Sequence, residues 1–424
     1  MKLHVGFISL SILFAAVNSF ASDTWNLNDV TYIFPLPNGK TIDASVRASD
    51  LDSTGQPVFS LKTLFTVSGA NFDTGPDANR ASHMLIPGDL LVRSPGFDAY
   101  QDLFLVAARI DPCFKDKFTD PCRRQIRAVW QPVDGWKIGN PQAADAAVHT
   151  FYDLSASEFE KLMNDLKSLK NAYQINTDGL ALGIHPAFSQ NSISPFQLDF
   201  KKLLLRNISS QKMSRMALVT LKGSSISWDL LSKDFVNGVQ VPVKIFPNNK
   251  EDQGMVNIDG LKAFKNFTFS SEGDRSVVDA IQSRKLYTEK DRGFMGFSLS
   301  SPEQGDQLLS VAADSRTLLS SPEKAREILT RAGRVEDPSK NLPGTVDCVS
   351  CHIANAVKLL ANVRGETLPV PANSGLHNLS NNSKFYGDTH ELRMLGYVTD
   401  QMQIADRSIY EAALVADYLN KANP

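Results

Sequence analysis

The residues best placed to do chemistry stand at Cys348-Val349-Ser350-Cys351-His352. Two thiols separated by two residues reach the two vinyl groups along one edge of a haem, and the residue that follows sets an imidazole beneath the iron. Cys348 and Cys351 are therefore candidates for thioether bonds, and His352 for the proximal iron ligand, of one covalently held haem c. Three other chemistries use similar patterns. A thioredoxin-like redox pair wants a βαβ context and a Trp or Pro beside the cysteines, where this chain has Asp347 and Val349. A zinc site needs further ligands, and downstream only His377 and His390 follow, both in polar sequence. A plain disulfide between Cys348 and Cys351 is the third, and it would be strained.

The sequence holds four cysteines, and the other two, Cys113 and Cys122, follow Asp-Pro pairs on either side of a short polar loop. In an oxidising compartment the economical assignment for them is a structural disulfide; a redox pair or metal site would want nearby histidine and tighter spacing. Export is read from the N-terminus. Lys2 supplies positive charge, Val5–Val17 is largely apolar, and Ser19-Phe20-Ala21 offers a small-x-small cleavage pattern, so residues 1–21 are expected to be a signal peptide. The mature chain would carry no membrane span and be periplasmic or secreted. The 44 basic and 46 acidic residues give a formal net charge of −2 without a long single-sign run, which argues against a nucleic-acid partner.

Positioning these groups falls to elements that change character along the chain. Residues 23–297 hold short apolar or alternating runs, namely Val30–Phe34, Leu103–Ile110, Ile126–Trp130, Met216–Leu221 and Val239–Phe246, punctuated by Gly, Pro, Asn and Asp, as in β-rich domains. One helix interrupts them over Ser155–Tyr173, opened by a capping box of Ser155 and Glu158, with Phe159, Leu162, Met163, Leu166 and Leu169 as its apolar stripe. From Ser298 onward helices are expected: one opened at Pro322 and closed at Gly333, one over Ile353–Val363 after the cysteine motif, and a last one over Ser408–Ala422 capped by Asp406 or Ser408. The expectation is a multidomain α+β protein, in which a β-rich region of one or two domains over 23–297 precedes a small all-α domain over 298–424.

The order within residues 298–424 resembles the mono-haem c-type cytochromes: a helix, the Cys-x-x-Cys-His motif, a loop-rich middle, and a methionine shortly before a C-terminal helix. The resemblance implies a cytochrome c-like haem domain in which that methionine is the sixth iron ligand. Met402, four residues before Asp406, is the leading candidate and Met394 the alternative. It also implies a backbone carbonyl, that of Pro369 or Pro371, holding the proximal imidazole. The loop lacks the family's usual Gly-Pro-containing segment. About a quarter of the chain is covered; residues 23–297 contain no Gly-rich phosphate loop, Gly-x-Ser-x-Gly or His-Glu-x-x-His, and His83, His149 and His185 read as ordinary polar or core residues.

The leading functional expectation is electron transfer to or from a redox partner protein. Methionine ligation would raise the reduction potential of such a carrier. A haem enzyme or sensor is the alternative, with an open distal site served by His377, His390, Arg393 or Tyr397. A secreted binding protein with a haem-bearing appendage is a third class.

Overall fold

A computed structural model of the chain describes residues 24–68, 100–116, 118–144, 146–188, 191–222, 227–242, 322–343, 351, 354, 376–381 and 395–422. The signal-peptide expectation lies outside them, as does all of the Ile353–Val363 helix except Ala354. Strands β1 (Thr31–Ile33), β2 (Leu103–Phe114), β3 (Arg123–Asp134), β5 (Ala146–Leu154), β6 (Met213–Lys222), β7 (Ser227–Val236) and β8 (Val239–Pro242) follow one another in an antiparallel sheet, with β4 (Gln142–Ala143) paired beside β3. Neighbours in the sheet are neighbours in sequence, so antiparallel connections suffice without crossovers. The disulfide joins Cys113 and Cys122 at the loop end of the β2–β3 hairpin.

Alternation sorts the sheet's two faces. Along β5 every second residue, from Ala146 through Val148, Thr150 and Tyr152 to Leu154, is buried, whereas Ala147, His149, Phe151 and Asp153 are half-covered. The buried face packs with the two helices inserted between β5 and β6. The first, α3 (Ala156–Ala172), has the capping box of Ser155 and Glu158, and buries Phe159, Leu162, Met163 and Leu166. The second, α4 (Pro195–Asn207), is capped by Ser194 with Gln197 and buries Phe196, Phe200, Leu203 and Leu204. Two short helices, α1 (Leu27–Val30) and α2 (Leu61–Ser68), precede them in the chain.

The small all-α domain expected over 298–424 is not what the chain forms. Besides α5 (Pro322–Glu336) and α6 (Asp406–Ala422), this part contributes a β-hairpin, β9 (Leu395–Val398) with β10 (Gln401–Ile404), in which Met402 pairs with Tyr397. The hairpin exists because its backbone has a docking site on the sheet. Gln131 Oε1 accepts from the Tyr397 amide at 2.6 Å, its Nε2 donates to the Tyr397 carbonyl at 3.0 Å, and the Ala143 amide donates to the Thr399 carbonyl at 2.7 Å. Gly396, at φ 149°, makes this approach possible, since a Cβ there would lie 2.7 Å from Gln131 Oε1. The stripe of α6 is the one expected, Ile409, Ala412, Ala413, Val415, Ala416 and Leu419, but it is buried in the same apolar cluster as Trp25, Val30, Leu105 and Trp130. A helix packed there completes the sheet's core. α5 runs through Gly333 to Glu336 because Leu329, Ala332 and Val335 keep its apolar face buried past the glycine. No helix among the described residues is long and apolar enough to cross a membrane.

Candidate functional site

The half-covered face of the sheet carries charge at its centre. Register sets Arg109 of β2 opposite Arg127 of β3, Arg127 opposite Phe151 of β5, and Val129 opposite His149, so these side chains share one face. Helix α6 brings Glu411 against two of the guanidiniums and adds a third from its own first turn. Arg127 Nη2 donates to Glu411 Oε2 at 2.8 Å, Arg407 Nε donates to Oε1 at 3.0 Å, and Arg109 Nη1 donates to Oε2. Arg109 is held further by Thr31 Oγ1 at 2.9 Å and the Ser408 carbonyl at 2.6 Å, and Arg407 by the carbonyls of Val335 and Asn341. Asp111 lies 3.4 Å from Arg127.

The charges follow from this crowding. Burial alone would raise the Glu411 carboxyl, but Arg127, Arg109 and Arg407 outweigh it and hold the group well below the usual carboxylate range. Asp111 goes the other way: burial raises it, and Arg127 and the Cys113 amide recover only part. Arg109 is lowered to about 10, first by burial and then by Arg127 and Arg407 beside it, against the pull of Glu411, and remains a cation at neutral pH. Burial disfavours the Arg407 cation too, but Cys351, Glu411 and Glu336 outweigh it and its pKa lies above the ordinary value. Three guanidiniums stand against Glu411, Asp111 and Glu336, so the charges of the cluster nearly cancel.

Two adjoining cavities open on this cluster. The first, about 210 Å³, is lined by Val129, His149 and Phe151 of the sheet, by Pro343, Cys351 and Leu395, and by the arginines. The second, about 270 Å³, lies towards Cys113, Phe114, Leu414 and Tyr418, and shares Arg127, Pro343, Arg407 and Glu411 with the first. Arg127 thus borders both, and its buried Nε–H has no hydrogen-bond partner. A buried donor left so costs about 1–3 kcal/mol. A thiol, an apolar floor and guanidiniums on one wall suit a flat, largely apolar group bearing carboxylates and tethered through sulfur, and haem has that chemistry.

Of the residues singled out in the sequence, Cys351 lines the first cavity. Cys348, His352, Met394, Pro369, Pro371, His390 and Arg393 lie outside the described residues. Met402 is half-buried against the apolar core and does not line that cavity. Tyr397 is a structural residue: its hydroxyl donates to the Phe34 carbonyl at 2.7 Å in a buried setting. His377 Nε2 lies 3.0 Å from Asp417 of α6, away from both cavities' linings, and its Nδ1 has no partner. His185 is core as expected, stacked on Phe196 at 5.4 Å between ring centroids, with burial pushing its imidazole down to about 3. His149 is the surprise, an imidazole on the lining of the Cys351 cavity. Sequence reasoning misses Arg109, Arg127, Arg407 and Glu411, although arginines inside the apolar runs of β2 and β3 are a visible signal, since unpaired charge is excluded from such strands. Compared with known proteins, the chain matches no family model, no curated protein and no solved structure.

Proposed function

We propose that this is an exported haem protein, carrying one covalently attached haem c on Cys348, Cys351 and His352, and passing electrons to or from a redox partner protein. The carrying observation is that Cys351, the second thiol of the motif, lines a cavity whose other residues are an apolar sheet floor and an arginine cluster. On this reading Cys348 and Cys351 hold the cofactor through thioethers, each S–H adding across one vinyl double bond with no net oxidation. When bound, haem supplies a one-electron couple at its iron. The chain's own residues do the rest. Val129, Phe151 and Leu395 give the cavity an apolar side, Arg109 and Arg407 are fixed on its other wall through their bonds to Glu411 and backbone carbonyls, and Arg127 offers its unpaired Nε–H to a carboxylate.

The disulfide and the leader-like N-terminus support an oxidising compartment, periplasmic or secreted, where covalent attachment keeps a cofactor that dilution would otherwise remove. The test is expression with export and haem-maturation machinery, followed by a haem stain after denaturing electrophoresis. Stain on the wild type that disappears in the Cys348→Ala, Cys351→Ala double variant is the expected result. Wild-type protein that folds and carries no stain removes the proposal.

A further inference from the structure

We infer that the second cavity is a binding site for a small apolar monocarboxylate, whose carboxylate is held by Lys115 and Arg127. The inference does not depend on the haem reading, which concerns the first cavity. The lining is built from the end of β2 with the residue after it, from the stretch that follows α5, and from the later turns of α6. The Cys113–Cys122 bridge ties β2 down two residues before Lys115. Pro338, Leu342 and Pro343 give the cavity one set of apolar contacts, and Leu414, Val415 and Tyr418 of α6 give another. Leu414 and Tyr418 lie one helical turn apart and remain 41% and 48% exposed, so the apolar lining continues to the surface. A mostly apolar cleft with a few polar groups is the usual form of a small-molecule site.

The polar groups of the lining select the head group. Lys115, Arg127 and Arg407 stand there against Asp111 and Glu411, three positive charges to two negative, and a monoanion cancels the excess. Burial also favours the neutral form of Asp111, which moves the balance the same way. Arg407 is consumed by Glu411 and by the carbonyls of Val335 and Asn341. The half-buried Lys115 ammonium, by contrast, has no ion pair or hydrogen bond, and the buried Arg127 Nε–H has no acceptor. A carboxylate suits this pair, since each of its two oxygens accepts from one cation. Lys115 belongs to the second cavity alone, so it holds a carboxylate there whichever group takes the Arg127 Nε–H. Size sets the rest of the ligand: a cavity of about 150 Å³ takes a benzene, so about 270 Å³ accommodates one ring, or a chain of similar bulk, with its carboxylate attached.

The experiment titrates the full chain with phenylacetate, octanoate and their neutral amides by calorimetry, as wild type, Lys115→Gln and Leu414→Asp. The haem stain is scored separately, so failure here and failure of the haem reading are distinguishable. The expected result is saturable binding of at least one carboxylate with a Kd below about 1 mM, the tighter of the two telling a ring from a chain. The amides and Lys115→Gln should each bind about tenfold more weakly, because each removes one charge from a charge-assisted hydrogen bond. Leu414→Asp acts from the other side of the site, setting a like charge on the α6 lining, and should weaken binding about as much. No saturable binding of either carboxylate below about 1 mM, amides that bind as tightly as the acids, or a folded Lys115→Gln or Leu414→Asp with unchanged affinity each overturns the inference. Should neither variant fold, the comparison of acid with amide on the wild type decides.

Discussion

Glu411 is a carboxylate on which three buried guanidiniums converge, and replacing it with glutamine tests the energetic account of the site. The side chains of Arg109, Arg407, Arg127 and Glu411 are 6%, 3%, 16% and 16% exposed, so solvent screens little of their interaction. At an effective dielectric of 20, each ion pair near 4 Å is worth about 4 kcal/mol, offset by repulsion among the arginines and by the desolvation already incurred. Glutamine keeps the shape and one acceptor oxygen but leaves the cations without a counter-charge. Removing one partner of a buried pair costs about 3–5 kcal/mol, and we expect Glu411→Gln to fall in that range at pH 7. For a urea dependence of about 3 kcal/mol per molar the midpoint moves down by about 1–2 M. Fluorescence of the buried Trp25 and Trp130 reports the transition. The arginines hold the folded-state pKa of Glu411 below its ordinary 4.5, so its stabilisation is complete above that value and is lost as pH falls through the folded pKa. The gap between wild type and variant must therefore narrow below about pH 4.5. A midpoint shift under about 0.3 M, or a gap that widens on acidification, would refute the reasoning.

Three further outcomes are expected. His185 is neutral in the fold with a pKa lowered to about 3 by burial, so stability should drop by a few kcal/mol as pH falls from about 6.5 towards 3, a slope that His185→Phe should flatten in urea titrations. Opening the Cys113–Cys122 bridge, which spans a sequence separation of 9, should cost about 2–3 kcal/mol, measured on the Cys113→Ser, Cys122→Ser double variant by calorimetry. Gln131→Leu strips the hydrogen bonds that receive the Tyr397 amide and carbonyl and should cost about 2–4 kcal/mol. Faster amide exchange at Tyr397, with the β3–β5 amides unchanged, would localise that loss.

What the sequence revealed was local. The α3 capping box and stripe, the α6 stripe and the β-rich runs each follow from periodicity and turn chemistry within a dozen residues. The Cys113–Cys122 bridge followed from the arithmetic of four cysteines. What it hid was long-range. Nothing in residues 395–404 announces that Gln131 will receive their backbone, because that interaction spans 266 residues and depends on a glycine whose missing Cβ is itself the contact. The apolar stripe of α6 was legible, but a stripe says only that something covers it, and the c-type resemblance assigned the wrong partner. His149 looked ordinary for a similar reason: alternation tells which face a strand residue occupies, and only the assembled sheet tells which face has a cavity on it.

The bond between the two ends of the described chain has a consequence for order of events. Asn420 of α6 accepts from the Trp25 amide at 2.8 Å and donates to its carbonyl at 2.9 Å, closing a loop of 395 residues. The core is therefore completed by a helix that follows residues 348–352 in the chain, so those residues are synthesised before it. On the proposed reading a maturation enzyme meets the cysteine motif while α6 is still absent from the sheet and the cavity has no lid. Attachment comes first, and docking of the helix, with Glu411 drawing the arginines together, then seals the cofactor in. On the same reading a helix that docked early would shut out the prosthetic group, and a contact spanning 395 residues, being slow to close, would keep that window open.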